Sequence, residues 1–359
     1  MRNSLLLLSG LAILMAPPSP ASAGNSLDDL VQTVRQALKA NQTDIQLAKA
    51  LHKLNLREKL DARTAEELES EVPGPKSIAE LEDLRDVTRD LPPPVVLPWF
   101  ASPFAPSTQE LREILRMAAR KAFAYTANLP DFICAETVRR YESMGGRGGW
   151  VAKDTLTLQL TYFDQGENYK LIAMNGHKTE LTYEETGGAL SKGEFGSMLY
   201  SVFEPKSKTE FTWSNWTTLR KRPAYVISFR IAAVNSGYRL TVGRYGGGFV
   251  TTIPGEHGLL YIDRETKDAM RLDCETDTIP ADFPLASATR TLDYGPADVG
   301  GSSFLLPLHA DVRMTPRDRH PQTRNVVDFT GYRKFVGETS ISFEDPAGAK
   351  PPAPPEKNR

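Results

Sequence analysis

Between residues 92 and 106 the chain carries six prolines: Pro92, Pro93, Pro94, Pro98, Pro103 and Pro106. Each fixes φ and removes an amide donor, so neither a helix nor a central strand runs through this segment. It reads as a stiff linker, and the hydrophobic pattern differs on its two sides. Before it, apolar residues recur at helical spacing: Leu27, Leu30, Val31, Val34 and Leu38, then Leu47, Leu51 and Leu54, then Leu81, Leu84 and Leu91. Four pairs have capping-box spacing: Ser26 with Asp29, Thr43 with Gln46, Thr64 with Glu67, and Ser77 with Glu80. Residues 24–91 therefore read as a small all-α module, joined to the rest by a linker over 92–107.

Beyond the linker, a helix from Thr108 to Thr126 presents Leu111, Ile114, Leu115 and Ala118 on one face. After Pro130 the period changes to two. The stretch "TLTLQLTY" alternates Leu156, Leu158, Leu160 and Tyr162 with Thr155, Thr157, Gln159 and Thr161, the pattern of a strand buried on one face. Similar ribbons recur to Phe343 with short Gly-, Asn- and Asp-bearing turns between them. The fold class is mainly β (α+β), with about eleven to thirteen strands joined as neighbours. One helical stretch interrupts them: "GEFGSMLYSVFEP", residues 193–205, with Phe195, Met198, Leu199, Val202 and Phe203 as its apolar stripe. Phe211, Trp213, Trp216 and Tyr225 follow directly. Proline and charge dominate residues 346–359, which read as a disordered tail.

Residues 1–23 have the pattern of a secretory signal: Arg2, the apolar run Leu5 to Met15, and Ala21-Ser22-Ala23 at the cleavage point. The run is too short to span a bilayer and no later stretch compensates. A periplasmic or secreted product follows, cleaved near Ala23. Cys134 and Cys274, the chain's two cysteines, would meet an oxidising compartment, where a single disulfide between them is expected, the alternative being a pair of buried, inert cysteines. A net charge of −2 and a pI near 6.3 give no broad basic field for nucleic acid.

The segment "YIDRETKDAMRLDCETD", residues 261–277, is the strongest candidate for a metal or acid-base site. Read with period two it becomes a hairpin. Leu260, Ile262, Met270, Leu272 and Cys274 share the buried face, and Arg271, Asp273, Glu275 and Asp277 share the wet one. A calcium loop needs alternating oxygen ligands around a glycine, which Asp263, Glu265 and Asp268 do not provide. The five histidines, His52, His177, His257, His309 and His320, lack metal-ligand spacing and read as surface or turn residues. Residues 188–193 lack the spacing of a nucleophile elbow. "GGRGGW" precedes strand pattern rather than a helix, so it is a turn and not a phosphate loop. No metal, cofactor or catalytic constellation is read, and the chain reads as non-enzymatic.

An opening helix, a long antiparallel meander interrupted by one helix, "GLLYIDRETKDAMRL" as a central hairpin and "VVDFTGYRKF" as a closing strand resemble the periplasmic lipoprotein-carrier superfamily. That superfamily includes the LolA/LolB carriers and the RseB-type envelope-stress regulators. The resemblance covers about residues 108–344. "LPDFICAETVRRY" and "VFEPKSKTEFTWSNWTTLRKRPAYVISFR" are also similar to segments of uncharacterised secreted bacterial proteins. The resemblance implies a curved antiparallel half-barrel over residues 108–345, with helices across its concave face, which in the carriers shelters acyl chains. The added N-terminal module departs from that pattern, and no ligand residue transfers position by position. Two functions stay open. One is a lipid or other apolar ligand held by Phe195, Met198, Leu199, Phe203, Trp213 and Trp216. The other is an envelope interaction, sensor or assembly factor whose helical module and sheet surface bind a protein partner.

Overall fold

The computed structural model describes residues 24–92, 105–144, 149–164, 166–187, 197–243, 249–318 and 320–335. The signal-like residues 1–23, most of the proline segment, Phe195 and the tail over 346–359 lie outside the described residues. The chain divides into two compact units, Met1–Leu97 and Pro98–Arg359.

The first unit contains α1 (Leu27–Lys39), α2 (Asp44–Leu51), α3 (Ala62–Glu71) and α4 (Pro75–Val87). Their stripes meet in a core of Leu30, Val31, Val34, Leu47, Leu51 and Leu81, all fully buried. Two of the four expected capping boxes form: Ser26 with Asp29 and Thr43 with Gln46. The other two are corrected. Asp61 caps α3 by accepting from the Thr64 amide and hydroxyl. α4 starts on Gly74-Pro75, and Ser77 is buried instead of capping. Asp44 of α2 supplies the missing acceptors, taking hydrogen bonds from the Lys76 amide and from the Ser77 amide and hydroxyl. One carboxylate therefore satisfies the start of a neighbouring helix, a role that spacing along a single helix does not reveal.

In the second unit Ser107 forms a capping box with Glu110 and opens α5 (Thr108–Asn128). Then come β1 (Phe132–Ser143), β2 (Val151–Phe163), β3 (Gly166–Met174) and the short β4 (His177–Lys178). After α6 (Ser197–Phe203) follow β5 (Glu210–Leu219) and β6 (Arg222–Ile231). A separate ribbon of β7 (Leu240–Gly243) and β8 (Phe249–Thr252) precedes β9 (Gly255–Asp263), β10 (Ala269–Asp277), β11 (Leu285–Val299), β12 (Ser302–Pro316) and β13 (Gln322–Lys334). Eleven strands form one antiparallel sheet in the order β4-β3-β2-β1-β13-β12-β11-β10-β9-β6-β5. It stays open, with β4 and β5 at its edges, and it is a curved half-barrel rather than a closed barrel. The mainly β architecture read from the sequence is the one observed.

The concave face carries the main core. Leu156, Leu158 and Leu160 of β2 are fully buried there, as the alternation predicts. Ile114, Ala118 and Ala122 of α5 and Met198, Leu199 and Val202 of α6 pack into the same cluster, so both helices lie on this face. Across β9 and β10 the hairpin reading needs one correction. Leu260, Ile262, Leu272 and Cys274 share the concave core, but Met270 packs with Leu219, Ala224, Val226 and Tyr261 on the other face. A register shift between Ala269 and Arg271 is the reason: it breaks the period of two, and Ala269 joins the concave core.

The expected disulfide is also corrected: Cys134 and Cys274 are both buried, free thiols. Cys134 lies on β1 and Cys274 on β10, with β13, β12 and β11 between them. Four inter-strand steps amount to roughly 19 Å along the sheet. A bridge needs Cα atoms within about 7 Å. Burial pushes both thiols up in pKa, with Glu136 and Glu167 adding to the effect at Cys134, so neither is poised as a reactive thiolate.

Gly258 sets how closely β9 and β10 approach. It faces Cys274 in the ladder, and a Cβ at this position would run into the Asp273 carbonyl and crowd the Phe229 ring. Gly258→Ala is expected to cost about 1–3 kcal/mol or more by forcing the strands apart, read as a lower urea midpoint. An unchanged midpoint would show that the two strands have slack here.

Candidate functional site

Two faces of the half-barrel gather chemistry-bearing residues, and the acidic hairpin belongs to the convex one. In register across the strands stand Arg271 of β10, Asp293 of β11, His309 of β12 and Asp328 of β13, each beside the next. Arg271 grips Asp293 with two bonds, Nε to Oδ1 at 2.8 Å and a terminal nitrogen to Oδ2 at 2.9 Å. His309 Nδ1 lies 2.8 Å from Asp328 Oδ1, and Arg139 of β1 donates to the other oxygen at 2.6 Å. The result is a ladder of alternating charge over five strands. Beside it, Asp311 takes bonds from both Arg313 and Arg324, whose guanidinium groups lie near the Trp150 ring, and Asp273 accepts from the Thr291 hydroxyl.

These carboxylates are therefore occupied by cations and hydroxyls of the same sheet. Asp263, at the turn into β10, is buried and accepts from the amides of Glu265 and Thr266 while pairing with Arg222 at 2.7 Å. Burial alone would raise its pKa, but those hydrogen bonds and Arg222 hold it below the usual carboxylate range.

Four of the histidines, His52, His177, His257 and His320, are exposed as expected. His309 is not a surface residue. Its half-buried ring sits between acids, and no spacing rule within β12 points to neighbours contributed by β11 and β13. Burial opposes its charge, yet the hydrogen bond to Asp328 and the carboxylates of Asp293 and Asp311 raise its pKa above the ordinary value. A raised folded-state pKa stabilises the fold fully below about pH 6.5, the unfolded value, and that contribution is lost as pH rises through the folded pKa. The His309 resonances are thus expected to titrate above 6.5. The stability gap between the wild type and His309→Gln should be widest in mild acid and shrink toward alkaline pH. A midpoint at or below 6.5 would contradict the ladder.

The concave face holds the candidate binding site. Met198 and Leu199 are 7% and 1% exposed and belong to the core, whereas Phe203, Trp213 and Trp216 are half-buried. Met198 sulfur accepts from Arg290, which forms a buried ion pair with Glu256 beneath the Tyr238 ring. Removing either charged partner would strand the other inside the sheet.

Toward the β5 edge the surface becomes aromatic. Trp213 and Trp216 are three apart in sequence and would point to opposite faces of a regular strand. A bulge between Trp213 and Asn215 sets them opposite Ile227 and Tyr225, which are two apart, so both indoles land on the concave side. Their ring centroids are 4.8 Å apart, and Trp216 lies 5.1 Å from Tyr225. Phe211 stacks on Phe203 of α6 at 5.7 Å, continuing the row to the helix. Arg264 lies over Trp216 with its guanidinium carbon 4.5 Å from the ring centroid. Sequence reading found the aromatics as a cluster, but Arg264, in the turn after β9, joins them only in space.

No protein-family model matches the chain, and no curated protein matches it. Among solved structures the chain is similar to a LolA superfamily protein from Nitrosomonas europaea, with a TM-score of 0.31 and 10% identity over 63% of this chain and 93% of that one. It is also similar to the MucA/MucB complex of Pseudomonas aeruginosa, with a TM-score of 0.18 and 10% identity over 61% of this chain and 94% of that one. No helix among the described residues is long and apolar enough to cross a membrane.

Proposed function

We propose that this chain is an exported, non-enzymatic binding protein whose half-barrel holds the apolar part of a lipid-like molecule between α6 and the β5 edge. The observation that carries this reading is the aromatic row. Phe203, Phe211, Trp213, Trp216 and Tyr225 lie side by side on the concave face, yet all five stay half-buried. An ordinary core would cover rings of this size, each of which can bury 150–250 Å². A contiguous apolar surface left half-open beside a core is the usual form of a binding site for an apolar guest.

The neighbouring helix supports the same reading. α6 has only seven residues, too few to be stable apart from its packing, and what holds it is the burial of Met198, Leu199 and Val202. Methionine is flexible and polarizable, which suits a surface that adapts to a guest. Leu158, in contrast, is fully enclosed at the middle of β2. Residues 24–91 are read as an independent helical module joined through residues 92–107, a division supported by the two compact units.

A charge at position 198 tests the reading. Met198→Asp is expected to abolish binding of an apolar fluorescent probe while costing less stability than Leu158→Asp, which places a carboxylate in sealed core. Equal destabilisation by the two substitutions, together with no probe binding by the wild type, would make α6 ordinary core and leave a protein partner as the better account.

A further inference from the structure

The end of the aromatic row is not apolar. Arg264 follows β9 directly and is exposed, with its guanidinium over Trp216 and 6.0 Å from the Tyr225 ring centroid. Nearby basic residues are engaged: Arg222 pairs with Asp263, Lys121 pairs with Asp268, and the Lys267 ammonium donates to the Arg264 carbonyl. Arg264 has no carboxylate partner among the described residues. Stacking on aromatic faces fixes the plane of its fork while leaving the N–H edge free to donate.

We infer that Arg264 recognises the head group of an anionic single-chain amphiphile, a fatty carboxylate, whose chain runs along Trp216, Trp213 and Phe211 toward Phe203 and Met198. The inference rests on the binding reading above and adds the class of ligand. One guanidinium with a free planar edge matches one carboxylate through two parallel hydrogen bonds. A phosphate head with a second charge would draw on a further cation; Lys267, whose ammonium lies 5.2 Å from the Tyr225 ring centroid, has one of its three donors committed to the Arg264 carbonyl, and the dodecyl phosphate titration separates the two heads. Trp216 and Phe211 lie opposite Tyr225 and Phe229, and four steps of strand rise give roughly 14 Å of aromatic surface for the chain. Head and tail thus meet different parts of one continuous site, cationic at its open end and apolar at α6.

The test compares probes that share a tail and differ in head. Laurate, dodecanol and dodecyl phosphate are titrated against the full chain, with quenching or shift of tryptophan emission as the readout. Wild type is expected to bind laurate about tenfold more tightly than dodecanol, the gain from a charge-assisted pair. Arg264→Gln, an exposed substitution whose folding is checked by near-ultraviolet circular dichroism, should erase that preference and leave dodecanol binding unchanged. Equal affinity for laurate and dodecanol in the wild type, or a preference that survives Arg264→Gln, would overturn the head-group assignment and leave the binding reading intact. Tighter binding of dodecyl phosphate than of laurate would overturn the carboxylate assignment. If no probe binds, both the assignment and the binding reading fall.

Discussion

The pairing of β1 with β13 holds the second unit together. These strands open and close the meander, and they align antiparallel from Phe132 opposite Lys334 to Ser143 opposite Gln322. They sit inside the sheet, with β2 to β4 on one side and β12 through β5 on the other. Closing so long a loop costs entropy that only many simultaneous contacts can offset. Without this ladder the strands would form two smaller sheets with separate faces. With it, Val138 of β1, Leu158 of β2, Val327 of β13 and Leu260 of β9 share one concave core, and α5 and α6 have a single surface to cover.

The two faces of that surface do different work. On the convex side, charge is arranged across strands so that Asp293, Asp311 and Asp328 have cations as neighbours and Asp273 a hydroxyl, and buried pairs such as Arg271 with Asp293 align adjacent strands. On the concave side, apolar burial dominates, and buried charges such as Arg290 with Glu256 and Arg140 with Asp154 are enclosed as pairs. The convex ladder consumes its own chemistry within the sheet. The concave face at the β5 edge does not, because its aromatics remain half-open and Arg264 has no carboxylate partner among the described residues. This asymmetry is what places the candidate site at β5.

Local pattern made much of this legible before any coordinates. The alternation of Leu156, Leu158 and Leu160 identified β2 and its buried face, the stripe of Leu111, Ile114, Leu115 and Ala118 identified α5, and the stripe of Met198, Leu199 and Val202 identified α6 as a covering helix. What stayed hidden depends on neighbours far away in sequence. Bulges break the period of two, turning Met270 away from the concave core and bringing Trp213 and Trp216 together on it. Ser77 looked like a cap because its spacing to Glu80 was right, but Asp44 on another helix takes that role. His309 draws its carboxylates from adjacent strands, and Cys134 and Cys274 are kept apart by strand order, which period alone does not specify.

The central claim is that the concave face near β5 carries an amphiphile, and native mass spectrometry of the full chain, purified without detergent from its native host, tests it most directly. The account predicts a population heavier than the polypeptide by one single-chain amphiphile, returning to the bare mass after organic extraction. Bare polypeptide alone, or a stable complex with a second protein and no small molecule, would contradict it.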